Sequence, residues 1–257
     1  MSRDTSLESA LQQFAQQQKI LIALDFDGTL APFVARPEDA RMSNTASSTL
    51  QQLSELSDTF VALVSGRNLE SLQEVASPEQ KYYLVGSHGA EMNFTGASAA
   101  LSPEQRELLD NATTDLQHTT RQFPGSHVEH KPSASVFHFR DVNESHEESI
   151  EKIMQDFQEK YPDIHMMAGN KVFEFAVLDT NKGEALKALR NEIKPDSILF
   201  AGDDVTDENG FKVLNSHDIA VKVGSGETTA NYRVANTDAV TQLLQSLLEL
   251  RKAVVNS

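Results

Sequence analysis

Ile20-Leu21-Ile22-Ala23-Leu24-Asp25-Phe26-Asp27-Gly28-Thr29-Leu30 is the stretch whose reading decides the fold. Its apolar run between Lys19 and Asp25 lacks the polar alternation of a half-exposed strand, so it predicts a strand covered on both faces, as in a parallel sheet. Asp25 and Asp27 then sit at the carboxyl end, the edge at which open α/β sheets bind ligands. Side chains two apart on an extended chain share a face, so both acids are expected in one cleft unless the turn at Gly28 bends the second away. Two like charges this close need a counter-charge or a shared proton. A metal cation, with one acid left for proton transfer, meets that need. Asp-Gly is also a common turn, so the partners must come from elsewhere in the chain.

Three further strand ends supply them. Thr59 to Val64 is a second apolar strand, ending in Ser65-Gly66-Arg67 before a helix from Asn68 to Val75. A hydroxyl followed by a glycine at a helix start suits a phosphate contact, although Ser65 would serve equally as a helix cap. Lys81 to Val85 is a third strand, running into Gly86-Ser87-His88-Gly89-Ala90-Glu91; no metal-ligand spacing accompanies His88, which is expected to support the site from behind. Asn181-Lys182-Gly183 opens a helix carrying Ala185, Leu186 and Leu189. A lysine at a helix amino end opposes the helix dipole, and that favours an anion beside Lys182. Ser197 to Ala201 is another buried strand, ending in Gly202-Asp203-Asp204-Val205-Thr206-Asp207-Glu208. Acids this dense must be solvated or bound to a cation, and hard oxygen ligands point to Mg²⁺. The later Gly224-Ser225-Gly226-Glu227 loop lacks the spacing of a phosphate cradle and reads as a connection. Helices are also expected over 6–17, over 43–56 with Ser43 as N-cap, and over 238–254.

Between about Gly96 and Val177 the rhythm changes. Helical patterns over 103–122 and 147–160 alternate with paired short strands, 127–131 with 135–140 and 165–167 with 171–177, in the order αββαββ. This predicts an α/β protein with a Rossmann-like parallel-sheet core, residues 1–98 and 178–257, into which an α+β cap of residues 99–177 is inserted. Glu129 and Lys131 share one face of their strand, and Glu174 lies opposite Phe173 and Phe175. Were the strands neighbours, these three would form a polar patch suited to sugar hydroxyls, or equally a set of cross-strand ion pairs.

Composition narrows the partners. With 22 Lys plus Arg against 38 Asp plus Glu the chain carries −16, which opposes binding to nucleic acid or anionic membranes. A phosphate-bearing substrate would need local cations against that background. The absence of cysteine removes disulfides, thiolate-bound zinc and thiol catalysis. No apolar run approaches a signal peptide core or a membrane span, so a cytoplasmic protein is expected.

Asp-Phe-Asp-Gly-Thr-Leu, Ser-Gly-Arg, Asn-Lys-Gly and Gly-Asp-Asp-Val-Thr-Asp-Glu, in this order, resemble the motifs of the haloacid dehalogenase-type phosphatases. Gly-Ser-His-Gly-Ala-Glu, Glu129-x-Lys131 and Lys171-x-x-Glu174 are similar, within that superfamily, to the trehalose-6-phosphate phosphatases. Phe-Ala-Val-Leu after Glu174, where that family more usually has Arg-Pro, and Pro132-Ser133 after Lys131, where a glycine is common, depart from the pattern. The resemblance implies hydrolysis of trehalose 6-phosphate through an aspartyl-phosphate, with Asp25 as nucleophile, Asp27 as acid and base, and Ser65 and Lys182 on the phosphoryl oxygens. It implies Mg²⁺ held by Asp25, Asp27 through its carbonyl, and Asp203, with Asp204 or Asp207 orienting metal-bound water. Substrate contacts are expected from Gly66, Arg67, Glu129, Lys131, Arg140, Lys171 and Glu174, with the cap closing on the sugar. The protein is expected to act as a monomer, with association to a trehalose-phosphate synthase as a further expectation. Sucrose phosphate or hexose phosphate hydrolysis, phosphomannomutase chemistry, and a silent sugar-phosphate-binding or synthase-partner domain are the alternatives.

Overall fold

The computed structural model describes residues 5–76, 82–94 and 101–255. The strands are β1 (Ile20–Leu24), β2 (Thr59–Val64), β3 (Tyr83–Gly86), β4 (Glu91–Met92), β5 (His127–Lys131), β6 (Ala134–His138), β7 (His165–Gly169), β8 (Val172–Ala176), β9 (Ser197–Gly202), β10 (Ile219–Val223) and β11 (Tyr232–Val234). The helices are α1 (Thr5–Ala15), α2 (Asn44–Glu55), α3 (Leu69–Val75), α4 (Pro103–Thr120), α5 (Glu147–Lys160), α6 (Lys182–Ile193), α7 (Asp207–Phe211) and α8 (Thr237–Val255). They form two compact units, Met1–Ser98 with Thr180–Ser257, and Ala99–Asp179.

In the first unit β1 is buried at every residue because it lies inside a seven-stranded sheet of order β11-β10-β9-β1-β2-β3-β4. All pairings are parallel except β3 with β4. The chain builds outward from β1 through β2 and β3 on one side, and later through β9 and β10 on the other. The carboxyl end of β1 is therefore the topological switch point. Leu24 is level with Leu63 on β2 and Ala201 on β9, so Asp25, Ser65 and Asp203 leave the sheet side by side. The two- and three-residue strands β4 and β11 were not expected, since neither is long enough to show a period.

Capping side chains set the helix ends that position these turns. Ser43 accepts from Ala46 N at 3.1 Å, Asn68 from Ser71 N at 2.8 Å, and Asn181 from Gly183 N at 2.9 Å. Asn68, not Ser65, caps α3, which leaves the Ser65 hydroxyl at the strand end. Lys81, expected in the third strand, lies outside the described residues.

At the opposite, amino edge of the sheet, Arg251 of α8 is 2% exposed. Its guanidinium donates to the carbonyls of Ala15, Gln17 and Gln18 and to Thr59 Oγ1, at 2.5–3.0 Å. Burial opposes the charge and lowers its pKa, yet the fork ties the α1–β1 connection to the start of β2. Arg251→Met keeps the stem and strips the donors from the buried Ala15 carbonyl and from the part-buried bonds to Gln17 and Gln18. The expected loss is about 3 kcal/mol, measured as a lower urea midpoint at unchanged slope.

In the second unit the antiparallel sheet runs β5-β6-β8-β7. Phe137, Phe173 and Phe175 face Leu109 and Leu116 of α4 and Ile150, Met154 and Phe157 of α5, forming the lobe's own core. The opposite sheet face carries the residues of the other parity, including Glu129, Lys131 and Glu174. β8 begins one residue later than the pattern suggests, because Lys171 takes a left-handed turn conformation at φ 62°. Among the described residues no helix is long and apolar enough to cross a membrane.

Candidate active site

Lys182 resolves its own electrostatic oddity. Fully enclosed at 2% exposure, its Nζ donates to Asp25 Oδ1 and to Asp207 Oδ1, both at 2.7 Å. Asp207 is buried too, and its Oδ2 accepts from Asp204 N at 2.9 Å. Asp203 completes the group: carboxylate oxygens of Asp25, Asp203 and Asp207 lie within 4.8 Å of one another, and Thr29 donates to Asp203 Oδ1 at 3.2 Å. Two glycines make this density possible. A Cβ on Gly28, already at φ 86°, would overlap the Asp203 carboxylate, and one on Gly202 would overlap that of Asp207.

Three acids against one ammonium leave the cluster short of positive charge. Burial raises the pKa of Asp25 well above the usual range, Asp207 and Asp203 add to it, and Lys182 only partly offsets them. Burial and Asp207 likewise raise Asp203. Burial works against the charge of Lys182, but Asp25 and Asp207 outweigh it and its pKa is raised. An oxygen-only, charge-deficient donor set, buried at Asp25 and Asp207 and half-buried at Asp203, fits a hard divalent cation.

Asp27 does not join the cluster. The turn bends it aside, and Arg67 grips it with a two-pronged contact, Nε to Oδ2 at 2.6 Å and Nη2 to Oδ1 at 2.7 Å. Arg67, expected on the substrate, is thus held by Asp27, Ser71 and the Pro37 carbonyl. The loop is braced from behind by the glycine-rich turn after β3: Ser87 N donates to Arg67 O at 2.6 Å and His88 N to Ser65 O at 3.0 Å. Ser87 and His88 both adopt left-handed backbones, at φ 47° and 54°. Glu91 pins this strained turn by accepting from Ser87 Oγ at 2.6 Å and from Leu69 N at 3.2 Å. The His88 ring packs on Gly66, where a Cβ would lie 2.6 Å from it. Ser65 is buried at 2% exposure, and its hydroxyl accepts from Arg67 N at 3.2 Å.

The chain shares its fold with a haloacid dehalogenase-like hydrolase from Bacteroides thetaiotaomicron, at a TM-score of 0.65 and 15% identity over 88% of this chain and 98% of that one. The profile of the trehalose-phosphatase family matches residues 23–241. The chain belongs to that family. Trehalose-6-phosphate phosphatase of Escherichia coli (strain K12) is 31% identical over 226 residues, 87% of this chain and 84% of that one. The bifunctional trehalose-6-phosphate synthase/phosphatase of Thermoproteus tenax is 30% identical over 95% of this chain and 34% of its own length. Among solved structures, the C-terminal domain of C. albicans trehalose-6-phosphate phosphatase superposes with a TM-score of 0.79 at 25% identity, covering 97% and 98% of the two chains.

Within this trehalose-phosphatase chain the remaining expected site residues divide. Of Asp204 and Asp207, both expected near a metal, Asp207 lies in the acidic cluster, while Asp204 is exposed and accepts from Val205 N. Glu208, counted among the costly acids, is satisfied by Thr228 Oγ1 and by the nitrogen and hydroxyl of Thr229. The loop that follows β10 is therefore a clamp on the acidic turn, not only a connection. Buried Lys222 adds a second grip by donating to the Asp203 carbonyl, a contact no motif announced. In the lobe, Lys131 donates to Glu174 at 2.6 Å across intervening β6, so these strands are not neighbours but the side chains meet. Lys171 is paired with Glu147, and Arg140 is exposed in the turn after β6.

Proposed function

We propose that this chain hydrolyses trehalose 6-phosphate to trehalose and phosphate, with Mg²⁺ as cofactor. The observation that carries this reading is the Lys182 ammonium shared by Asp25 and Asp207 beside Asp203 at the switch point. Asp25 attacks phosphorus, forming a P–O bond to its carboxylate as the bond to the sugar oxygen breaks, and Asp27 gives that oxygen a proton. Asp27 then takes a proton from the water that attacks the aspartyl-phosphate, releasing phosphate and restoring Asp25. Arg67 orients Asp27 before these transfers. Ser65 and the Gly66 backbone hold phosphoryl oxygens, and Lys182 stabilises the charge they develop. Asp25, Asp203 and the Asp27 carbonyl would hold Mg²⁺, with Asp207, engaged by Lys182 and Asp204 N, adding negative charge beside them, and the cation would supply positive charge to neutralise the attacking carboxylate and the phosphoryl oxygens. Glu129, Lys131 and Glu174 recognise sugar hydroxyls. The joined activities named for the Thermoproteus tenax relative support association of this chain with a trehalose-phosphate synthase.

A panel of sugar phosphates tests the reading. Trehalose 6-phosphate is expected to exceed glucose 6-phosphate and sucrose phosphate by at least about tenfold in kcat/KM, and equal rates would refute the assignment. Free phosphate without an isomerised sugar phosphate excludes mutase chemistry. Chelation should bring turnover to background and added Mg²⁺ should restore it; activity that survives chelation removes the metal from the scheme.

A further inference from the structure

The open face of the lobe sheet carries two fixed carboxylates, and only one has a partner that the sequence motifs include. Its rows follow from the register: His127 beside His138, then Glu129, Val136 and Glu174, then Lys131, Ala134 and Ala176. Lys131 reaches diagonally past Ala134 to Glu174 Oε2. His138 makes the mirror-image diagonal, with Nε2 at 2.9 Å from Glu129 Oε2. His127 stacks on the His138 ring with centroids 4.6 Å apart and planes 1° from parallel. That stack fixes the ring plane, so Nε2 is aimed at Glu129 instead of at solvent. With Phe137 and Phe175 packed beneath, neither carboxylate can turn inward, and Lys131 and His138 each engage the Oε2 atom of their carboxylate.

We infer that His138 is a specificity-determining positioning residue: held by His127, it orients Glu129 toward a sugar hydroxyl, as Lys131 orients Glu174. An ionised Glu129 can only accept, so this contact requires the proton on His138 Nε2. That bond is the largest influence holding the Glu129 carboxyl below its ordinary pKa, so the acid is presented as an acceptor. A long flexible carboxylate that must be ordered on binding loses affinity, and an acceptor already held loses less.

The inference rests on the trehalose 6-phosphate reading, and the test separates the two. Steady-state kinetics are compared on trehalose 6-phosphate and on p-nitrophenyl phosphate, an ester with no sugar. His138→Leu is expected to raise KM for the sugar phosphate about tenfold with kcat little changed, and to leave p-nitrophenyl phosphate kinetics as they were. His138→Gln, which can donate from a similar position, should stay within about threefold of the native KM. In a Glu129→Ala background, His138→Leu should add nothing further, because the oriented group is already gone. Thermal melting of each variant accompanies the kinetics. If His138→Leu folds poorly, His127→Ala, which removes only the stacked ring, decides: it should raise KM for the sugar phosphate and leave p-nitrophenyl phosphate kinetics as they were, and an unchanged KM overturns the role. Equal losses on both esters, an unchanged KM, or additive losses in the double variant overturn the role of His138. A native protein with no preference for the sugar phosphate overturns the functional reading first, and this inference with it.

Discussion

Asp25→Asn is expected to lower turnover by about 10⁴-fold or more while the metal-free protein melts at a higher temperature than the native chain. An amide cannot form the acyl-phosphate, so the loss should be the same for sugar phosphate and for p-nitrophenyl phosphate. The stability gain follows from the sign of the shift at Asp25. Burial, then Asp207 and Asp203, raise this carboxyl against the partial relief from Lys182. A carboxyl whose folded pKa lies above its unfolded one adds stability below the ordinary value, and that stability is lost as pH rises through the folded value. At neutral pH the native cluster therefore opposes folding, and the Asn variant is spared. Each kcal/mol relieved moves the melting temperature by roughly 2–4 °C in a chain of this size. Melting in EDTA at pH 5 and pH 8 should show the gap widening at the higher pH. A gap that narrows, or turnover near the native level, would overturn the charge balance or the nucleophile respectively.

What the sequence disclosed, and what it did not, divides by range. The run Ile20–Leu24 and the repeated strand-to-helix turns are local patterns, so the parallel sheet and its crowded edge could be read directly. Lys182 was found through a local conflict with the helix dipole, and its answer, two carboxylates, lies 157 and 25 residues away. Asp204 and Asp207 were not separable, since both follow the same strand; only the turn that buries one and exposes the other distinguishes them. The Arg67–Asp27 fork spans 40 residues and depends on Ser87 and His88 holding strained backbones, which no periodicity reports. Arg251, Lys222 and His138 were missed for a related reason. Each looks like an ordinary surface residue in its own segment, and its partners are set only when distant strands and helices come together.

Lys182→Met is the second large effect, and it separates two duties of one charge. Removing the ammonium leaves Asp25 and Asp207 buried with no cation between them, and such losses cost about 3–5 kcal/mol. Because its raised pKa lies above that of an ordinary lysine, the pair contributes fully at neutral pH, so the destabilisation should be complete at pH 7 and fade only in strong alkali. Turnover should also fall, by about 10²–10³-fold, since the developing charge on the phosphoryl oxygens loses its donor. Adding Asp207→Asn removes one of the stranded carboxylates and its repulsion of Asp25. The double variant should therefore recover much of the stability, measured by urea unfolding, yet none of the turnover. If turnover returned with stability, Lys182 would be only a structural counter-ion and its phosphoryl contact would be wrong. If neither returned, Asp207 would be needed in its ionised form by more than Lys182, and the Asp204 backbone it holds at 2.9 Å is the group that would release the acidic turn.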